Sequence, residues 1–180
     1  MIKGKLINLR TIKQGDLDEL LSVGSDLSHR GAYYPVNLWS EPIFKKRYAE
    51  TGLWNDDAGV MMITDKMDRI VGEICYFKGV WYLPGYEIGY RIYQNEDKGK
   101  GYTSEALKIF SAYMFELKNI QRLEIHCSKG NIASRRVAEK SGFTYEGIKR
   151  QAVFCRGEYE DLEAFSLLKE ECPKLDNILK

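Results

Sequence analysis

The residues best placed to do chemistry lie between positions 86 and 106. Lys98-Gly99-Lys100-Gly101-Tyr102-Thr103 sets two glycines one residue apart among two lysines, directly ahead of a helical pattern. Glycine accepts positive φ and lets another molecule approach the backbone closely. A helix start adds N–H groups without intrahelical partners at the positive end of the dipole. Together these features make a seat for phosphates. It is not a P-loop, because Lys100 is followed by Gly101 where Ser or Thr would be needed. It is not a dinucleotide fingerprint, because Ser104 stands where the third glycine belongs. Taken alone, Gly99-x-Gly101 is a weak signal, and an unliganded strand–helix turn also accounts for it. Downstream, Asn131, Ser134 and Ala138 share one stripe of a second helical pattern.

The elements around these residues follow from periodicity. Tyr86, Ile88, Tyr90 and Ile92 alternate as a strand over 86–93, with Glu87 on the opposite face from Tyr90. Ala106, Leu107, Phe110, Tyr113, Met114 and Leu117 recur at helical spacing. A strand is expected at 121–127, then a short helix at 131–141 stopped by Gly142. Ahead of this region, a first strand is expected at 5–10. Asp16-x-x-Glu19 then opens a helix with a capping-box pattern. An irregular aromatic stretch follows at 25–39, then a helix capped by Ser40 with Pro42 in its first turn and Gly52 past its end. Strands at 58–64 and 69–77 join through a turn at 65–68, and strands at 144–154 and 159–168 close the chain as a hairpin across Arg156-Gly157. This order predicts an α/β fold with helices on both faces of a mixed sheet. The strand–helix–strand unit over 86–127 predicts a parallel pair, with the ligand at the strand ends where the glycine loop lies.

Composition narrows the function. A chain of 180 residues without repeats or a composition break is read as one domain, 1–180. Charged residues make up 29% and nearly cancel at +1, which argues against a nucleic-acid surface. No apolar run approaches the ~18 residues of a membrane span, and the first residues lack a signal-peptide pattern. Cys75, Cys127, Cys155 and Cys172 are scattered with no C-x-x-C pair, so they are read as reduced thiols of a cytoplasmic protein and no metal is expected.

Three segments carry a family resemblance. Glu87-Ile88-Gly89-Tyr90, the loop Gly99-Lys100-Gly101-Tyr102 with Glu105-Ala106, and Asn131-x-x-Ser134-x-x-Val137-x-Glu139-Lys140-x-Gly142-Phe143 resemble the GNAT acetyltransferases, and within them the RimJ/RimL type. The resemblance implies the GNAT fold, with a V-shaped splay between the fourth and fifth strands and acetyl-CoA wedged into it. It implies pyrophosphate binding by backbone N–H groups of Lys98, Gly99, Lys100, Gly101, Tyr102 and Thr103. It further implies cofactor contacts from Tyr90, Arg91, Ile92, Asn131 and Ser134. Backbone N–H groups around Arg91 and Ile92 would polarise the thioester. Ser134 would donate to the CoA sulfur or simply let the cofactor pack closely, Asn131 would bond the pantetheine arm besides capping its helix, and Glu87 would serve as base through water or as a structural partner. Arg135 and Arg136 are further candidates for the CoA phosphates.

The sequence also departs from the family pattern. Glu96 stands where Gln or Arg is usual, and the segment from Glu87 to Lys98 is one residue longer. Ala138 replaces a tyrosine acid, and Val153 in Gln151-Ala152-Val153-Phe154 replaces a glutamate. The acid and base are therefore open.

An alkyl ammonium with a pKa near ~10.4 must lose a proton before it attacks, a cost of roughly 4.6 kcal/mol at pH 7. The leaving thiol, near ~8.5, departs readily as thiolate. A base therefore matters more than an acid. Tyr33, Tyr34, Trp39 and Trp54, with Glu158, Glu160, Asp161 and Glu163 of the hairpin, are candidates for a wall around a cationic amine: a protein N-terminus, a polyamine or an aminoglycoside. The plainer reading, the acids as a solvated hairpin face and the aromatics as core, is the favoured one. A homodimer through the hairpin is compatible with the resemblance. The competing readings are an acetyl-CoA-binding module without turnover and a different nucleotide binder.

Overall fold

The computed structural model describes residues 1–29, 31–80 and 82–180, with backbone alone for His29. The strands are β1 (Ile2–Lys3), β2 (Asn8–Thr11), β3 (Ala58–Thr64), β4 (Ile70–Phe77), β5 (Tyr86–Ile92), β6 (Arg122–Ser128), β7 (Thr144–Cys155) and β8 (Glu158–Leu168). They form one sheet in the order β1-β2-β3-β4-β5-β6-β8-β7. Every pairing is antiparallel except β5 with β6, the pair that the strand–helix–strand pattern predicts to be parallel.

Helices cover both faces. On one side α3 (Tyr102–Leu117) and α4 (Ile132–Lys140) pack against Ile74, Tyr76, Ile88, Leu123 and Ile125 of the central strands. A short α5 (Leu175–Leu179), which the sequence reading did not foresee, lies along α3. On the other side α1 (Leu17–Ser25) and α2 (Glu41–Thr51) bury Leu17, Leu20, Leu21 and Phe44 over Met62, Ile70 and Tyr93. Burying each of these large side chains contributes about 1.5–3 kcal/mol. α2 has Pro in its first turn and ends at Gly52, as expected. Ser25 ends α1, and among the described residues of the stretch at 26–39 there is a 3-10 turn at Leu27–His29 and no other helix or strand; Arg30 lies outside the described residues.

Two local expectations need correction. The first strand does not run through 5–10. Glu105, in the first turn of α3, accepts the backbone N–H groups of Lys5, Leu6 and Ile7 at 2.7, 2.8 and 2.9 Å, so those residues leave the ladder and the strand divides into β1 and β2. Asp16 makes no side-chain cap for α1. Its carboxylate instead accepts the Lys13 N–H at 2.7 Å and pairs with the buried Arg10 guanidinium at 2.6 Å. That pairing starts a 3-10 turn at Gln14–Asp16 one step ahead of the helix.

Candidate active site

The site begins where β5 and β6 part. Their parallel register consists of two pairs, Tyr86 with Leu123 and Glu87 with Glu124, after which the strands diverge. This is the predicted splay, counted one strand later because of the extra β1. On its other edge β5 stays paired to β4 as far as Gly72 with Ile92, and the Tyr93 N–H bonds the Val71 carbonyl at 3.0 Å. Alternation along an antiparallel edge therefore directs the N–H of Arg91 and Gly89 at β4. It leaves those of Tyr90 and Ile92 facing the gap, while that of Ile88, beside the last registered pair with β6, is spent on that strand. The oxyanion candidate narrows to the Ile92 N–H with that of Tyr90, since Arg91 commits its own N–H to the ladder. The gap is part of a cleft of about 970 Å³.

The glycine loop closes one end of this cleft. Gly99 and Gly101 adopt φ of 77° and 86°, the left-handed region where a side chain would be strained. Gly101 caps α3, and the first helical bond runs from the Glu105 N–H to the Gly101 carbonyl at 3.0 Å. The N–H groups of Tyr102, Thr103 and Ser104 thus have no carbonyl of the helix to bond, and they point into the loop's concavity. Lys98, Gly99, Gly101, Tyr102 and Thr103 line the cleft, whereas Lys100 does not. The Lys100 ammonium bonds Asp97 at 3.2 Å and sits over the Tyr102 ring.

The loop is held from below by Asp97. Its fully buried carboxylate takes a forked pair of bonds from Arg69 at 2.8 and 2.9 Å. The Arg69 hydrogen bonds, helped by Lys100 and opposed by burial, bring its pKa down to about 2.

α4 forms the facing wall. Asn131 caps it, its side-chain oxygen accepting the Ser134 N–H at 3.1 Å. Asn131, Ser134, Arg136, Val137 and Lys140 line the cleft. Ala138, one turn on from Ser134 along the same stripe, is fully buried in the core and does not line the cleft. The Ser134 hydroxyl lies 3.0 Å from the Tyr90 hydroxyl. Burial raises the Tyr90 phenol and the Cys127 thiol above their ordinary pKa values. Arg135 is committed to Glu139 and Glu163 at 3.0 and 2.9 Å, and only Arg136 of the two arginines faces the cleft.

The opposite sheet face supplies the remaining wall. Glu87, Gly89, Cys75 and Phe77 line it with Tyr33 and Tyr34 of the aromatic stretch. Tyr33 donates to the Gly130 carbonyl at 2.7 Å. Burial pushes the Cys75 thiol up to about 12, so it stays protonated and is no nucleophile.

The other members of the expected acceptor wall lie elsewhere. Trp39 stacks on Phe44, and Trp54 packs edge-on to Tyr76. Of the hairpin acids none lines the cleft: Glu163 is buried against Arg135, and Asp161 accepts the Gln151 N–H at 2.9 Å. Val153, Cys155 and Leu162 are what the hairpin contributes.

The sequence reading also missed His126. Its Nδ1 lies 2.9 Å from Glu87 Oε2. Adding the parallel register to the alternation of both strands puts positions 87, 124 and 126 on one face, and that was the available signal.

A gap with free backbone N–H groups along one edge, a left-handed glycine turn and a helix start without a side-chain cap define a site for an extended amide-bearing arm ending in phosphates. Residues 7–144 match the family profile of the acetyltransferase (GNAT) domain. The chain belongs to the GNAT acetyltransferases, enzymes that move an acetyl group from acetyl-CoA.

Similarity to individual proteins agrees. The chain is 28% identical over 181 residues to the probable N-acetyltransferase YjcK of Bacillus subtilis, covering 95% of this chain and 98% of that one. It is 40% identical over 85 residues to the putative ribosomal N-acetyltransferase YdaF of the same organism, covering 47% of this chain and 46% of the other. The fold superimposes on a spermidine N-acetyltransferase from Vibrio cholerae, solved with CoA and spermine, with a TM-score of 0.79 at 18% identity, over 92% of this chain and 97% of that one.

The residues present fit CoA. The open edge of β5 can pair with the amides of its arm much as a strand adds to a sheet, and the α3 start can take its diphosphate. Arg136 and Lys140 line the cleft without an ion-pair partner among the described residues.

Proposed function

We propose that this chain, acting as one domain over residues 1–180, is an N-acetyltransferase of the RimJ/RimL type that acetylates a primary amine, foremost the α-amine of a protein or peptide. The observation that carries the reading is the splay itself. It exposes the Ile92 and Tyr90 N–H groups on one arm and sets Ser134 opposite, so donor groups converge where a thioester would sit. The amine would enter from the Tyr33–Tyr34 side, past Glu87, which supplies the negative charge that an ammonium requires.

Direct attack within a ternary complex is the pathway the thiols support. Cys75 and Cys127 line the cleft but are held protonated, so neither offers a thiolate to carry the acetyl group. Ile92 N–H would stabilise the developing oxyanion. The Ser134 hydroxyl would donate to the departing sulfur. Glu87 is the carboxylate on which deprotonation of the amine depends. Kinship to the putative ribosomal enzyme favours a peptide acceptor. The spermidine enzyme shares the fold at 18% identity, which gives a polyamine less support. The four free cysteines suit a reducing, cytoplasmic setting.

The test is calorimetric titration of acetyl-CoA with CoA and ATP as controls, followed by CoA release with N-terminal peptides, polyamines and aminoglycosides. Binding of both CoA species but not ATP, with turnover of a peptide amine, is expected. CoA binding without turnover of any amine would leave a binding module instead.

A further inference from the structure

Glu87 and His126 meet across the mouth of the splay. Glu87 belongs to the last registered pair of β5 with β6, and His126 stands two residues further along β6 on the same sheet face. The imidazole is 9% exposed and the carboxylate 22%, and both line the cleft. Among the described residues the imidazole has no other hydrogen-bond or ion-pair partner. The nitrogen turned to Glu87 is Nδ1, at 2.9 Å. A carboxylate there keeps the proton of a neutral imidazole on Nδ1, so Nε2 retains a free lone pair.

We propose that His126, oriented by Glu87, is the base that takes the proton from the attacking amine. This rests on the acetyl-transfer reading above and divides the role given there to Glu87 alone. The ammonium gives one proton to His126 Nε2, and the freed nitrogen pair forms the N–C bond at the thioester carbon. The C–S bond breaks as the adduct collapses, and its electron pair leaves on sulfur. The second nitrogen proton ends on that thiolate, and the imidazolium returns its proton to solvent.

Geometry singles out this pair among its charged neighbours. On β6, Glu124 bonds Arg122 at 2.7 Å. On β7, Glu146 is also bound by Arg122. On β4 the Cys75 thiol stays protonated, and on β8 the residue opposite is the uncharged Ala164. Glu87 is thus the carboxylate left to serve the imidazole. The base must be neutral to accept the proton, so turnover should depend on pH through the imidazole as well as through the amine.

His126→Arg and His126→Gln separate a base from a structural tie. Arginine keeps an ion pair with Glu87 but supplies no base at neutral pH. In both variants kcat should fall by about 10²–10⁴-fold, acetyl-CoA affinity by calorimetry should stay unchanged, and kcat/KM should rise with pH only as the free amine itself ionises. In the native enzyme, imidazole ¹⁵N shifts should show His126 protonated on Nδ1, with the signal assigned by its loss in His126→Gln. A His126→Arg enzyme with native kcat and pH profile, or a His126 tautomer protonated on Nε2, would overturn the proposal and leave acetyl transfer standing. No turnover of any amine by the native enzyme would overturn both.

Discussion

At the scale of single residues, the cleft spends its polar groups on one another, and that decides which substitutions hurt folding and which hurt turnover. Arg91 is buried between the Tyr34 and Tyr93 rings, with Glu73 Oε1 at 3.1 Å as its ion-pair partner. The Tyr93 hydroxyl donates to the other Glu73 oxygen at 2.7 Å. Glu73→Ala would leave the guanidinium buried without a counter-charge, and removal of one partner from such a pair costs about 3–5 kcal/mol. Chemical denaturation should show that loss. Ser134→Ala, by contrast, removes one exchangeable hydrogen bond of about 1 kcal/mol. It should lower kcat by about 10²-fold while acetyl-CoA affinity holds, as single-turnover and calorimetric measurements would show. Alternation made Tyr90 and Glu87 legible as opposite faces of β5, and helical spacing made Asn131 and Ser134 legible as one stripe. His126 was not legible, because its meaning depends on a β5–β6 register that spans an intervening helix. The fate of the hairpin acids was hidden similarly, since charge pattern alone does not reveal that Arg135 takes Glu163 inward.

At the scale of elements, the anion seat is built by contacts from far along the chain. Glycine spacing and the amphipathic pattern of α3 disclosed the seat. They did not disclose that Arg69, from the β3–β4 turn, anchors Asp97 beneath it. The Asp97 carboxylate, held at about 2, binds its proton less tightly when folded than the ordinary carboxylate does. Its contribution to stability is therefore fully present above the ordinary carboxylate range and is lost as pH falls toward 2. Asp97→Asn should remove that acid-labile share, about 1 kcal/mol after allowance for the half-exposed Arg69, and should weaken acetyl-CoA binding because the loop above it loosens. Acid-unfolding curves and calorimetry on the same variant check both halves. Gly101→Glu should act differently, placing bulk and negative charge at a φ of 86° in the seat itself. Acetyl-CoA affinity should drop by more than about 10²-fold, with the helical circular dichroism signal retained apart from a strain of about 1 kcal/mol. Unchanged affinity would place the diphosphate elsewhere.

At the scale of the whole molecule, the splay can stay open only because each arm is anchored on its outer side. β5 is held by six registered pairs with β4, and β6 by seven with β8. The hairpin of β7 and β8 lies beyond residue 144, where the family profile ends. It nevertheless carries Phe165 and Leu167, 0% and 2% exposed, into the same core as α3. A chain ended at residue 143 would lose that packing and expose the whole outer edge of β6, an invitation to edge-to-edge association. Two large side chains removed from a core cost several kcal/mol, comparable with the ~5–15 kcal/mol that holds a domain folded. The truncated chain should therefore show no cooperative thermal transition and should aggregate, whereas the full chain should unfold in one transition whose midpoint rises with acetyl-CoA concentration. Scanning calorimetry with and without acetyl-CoA checks this. A truncated chain that melted cooperatively and still responded to acetyl-CoA would mean that β5 and α3 hold the splay without β8. The closing hairpin would then serve acceptor binding through Val153, Cys155 and Leu162 rather than the integrity of the fold.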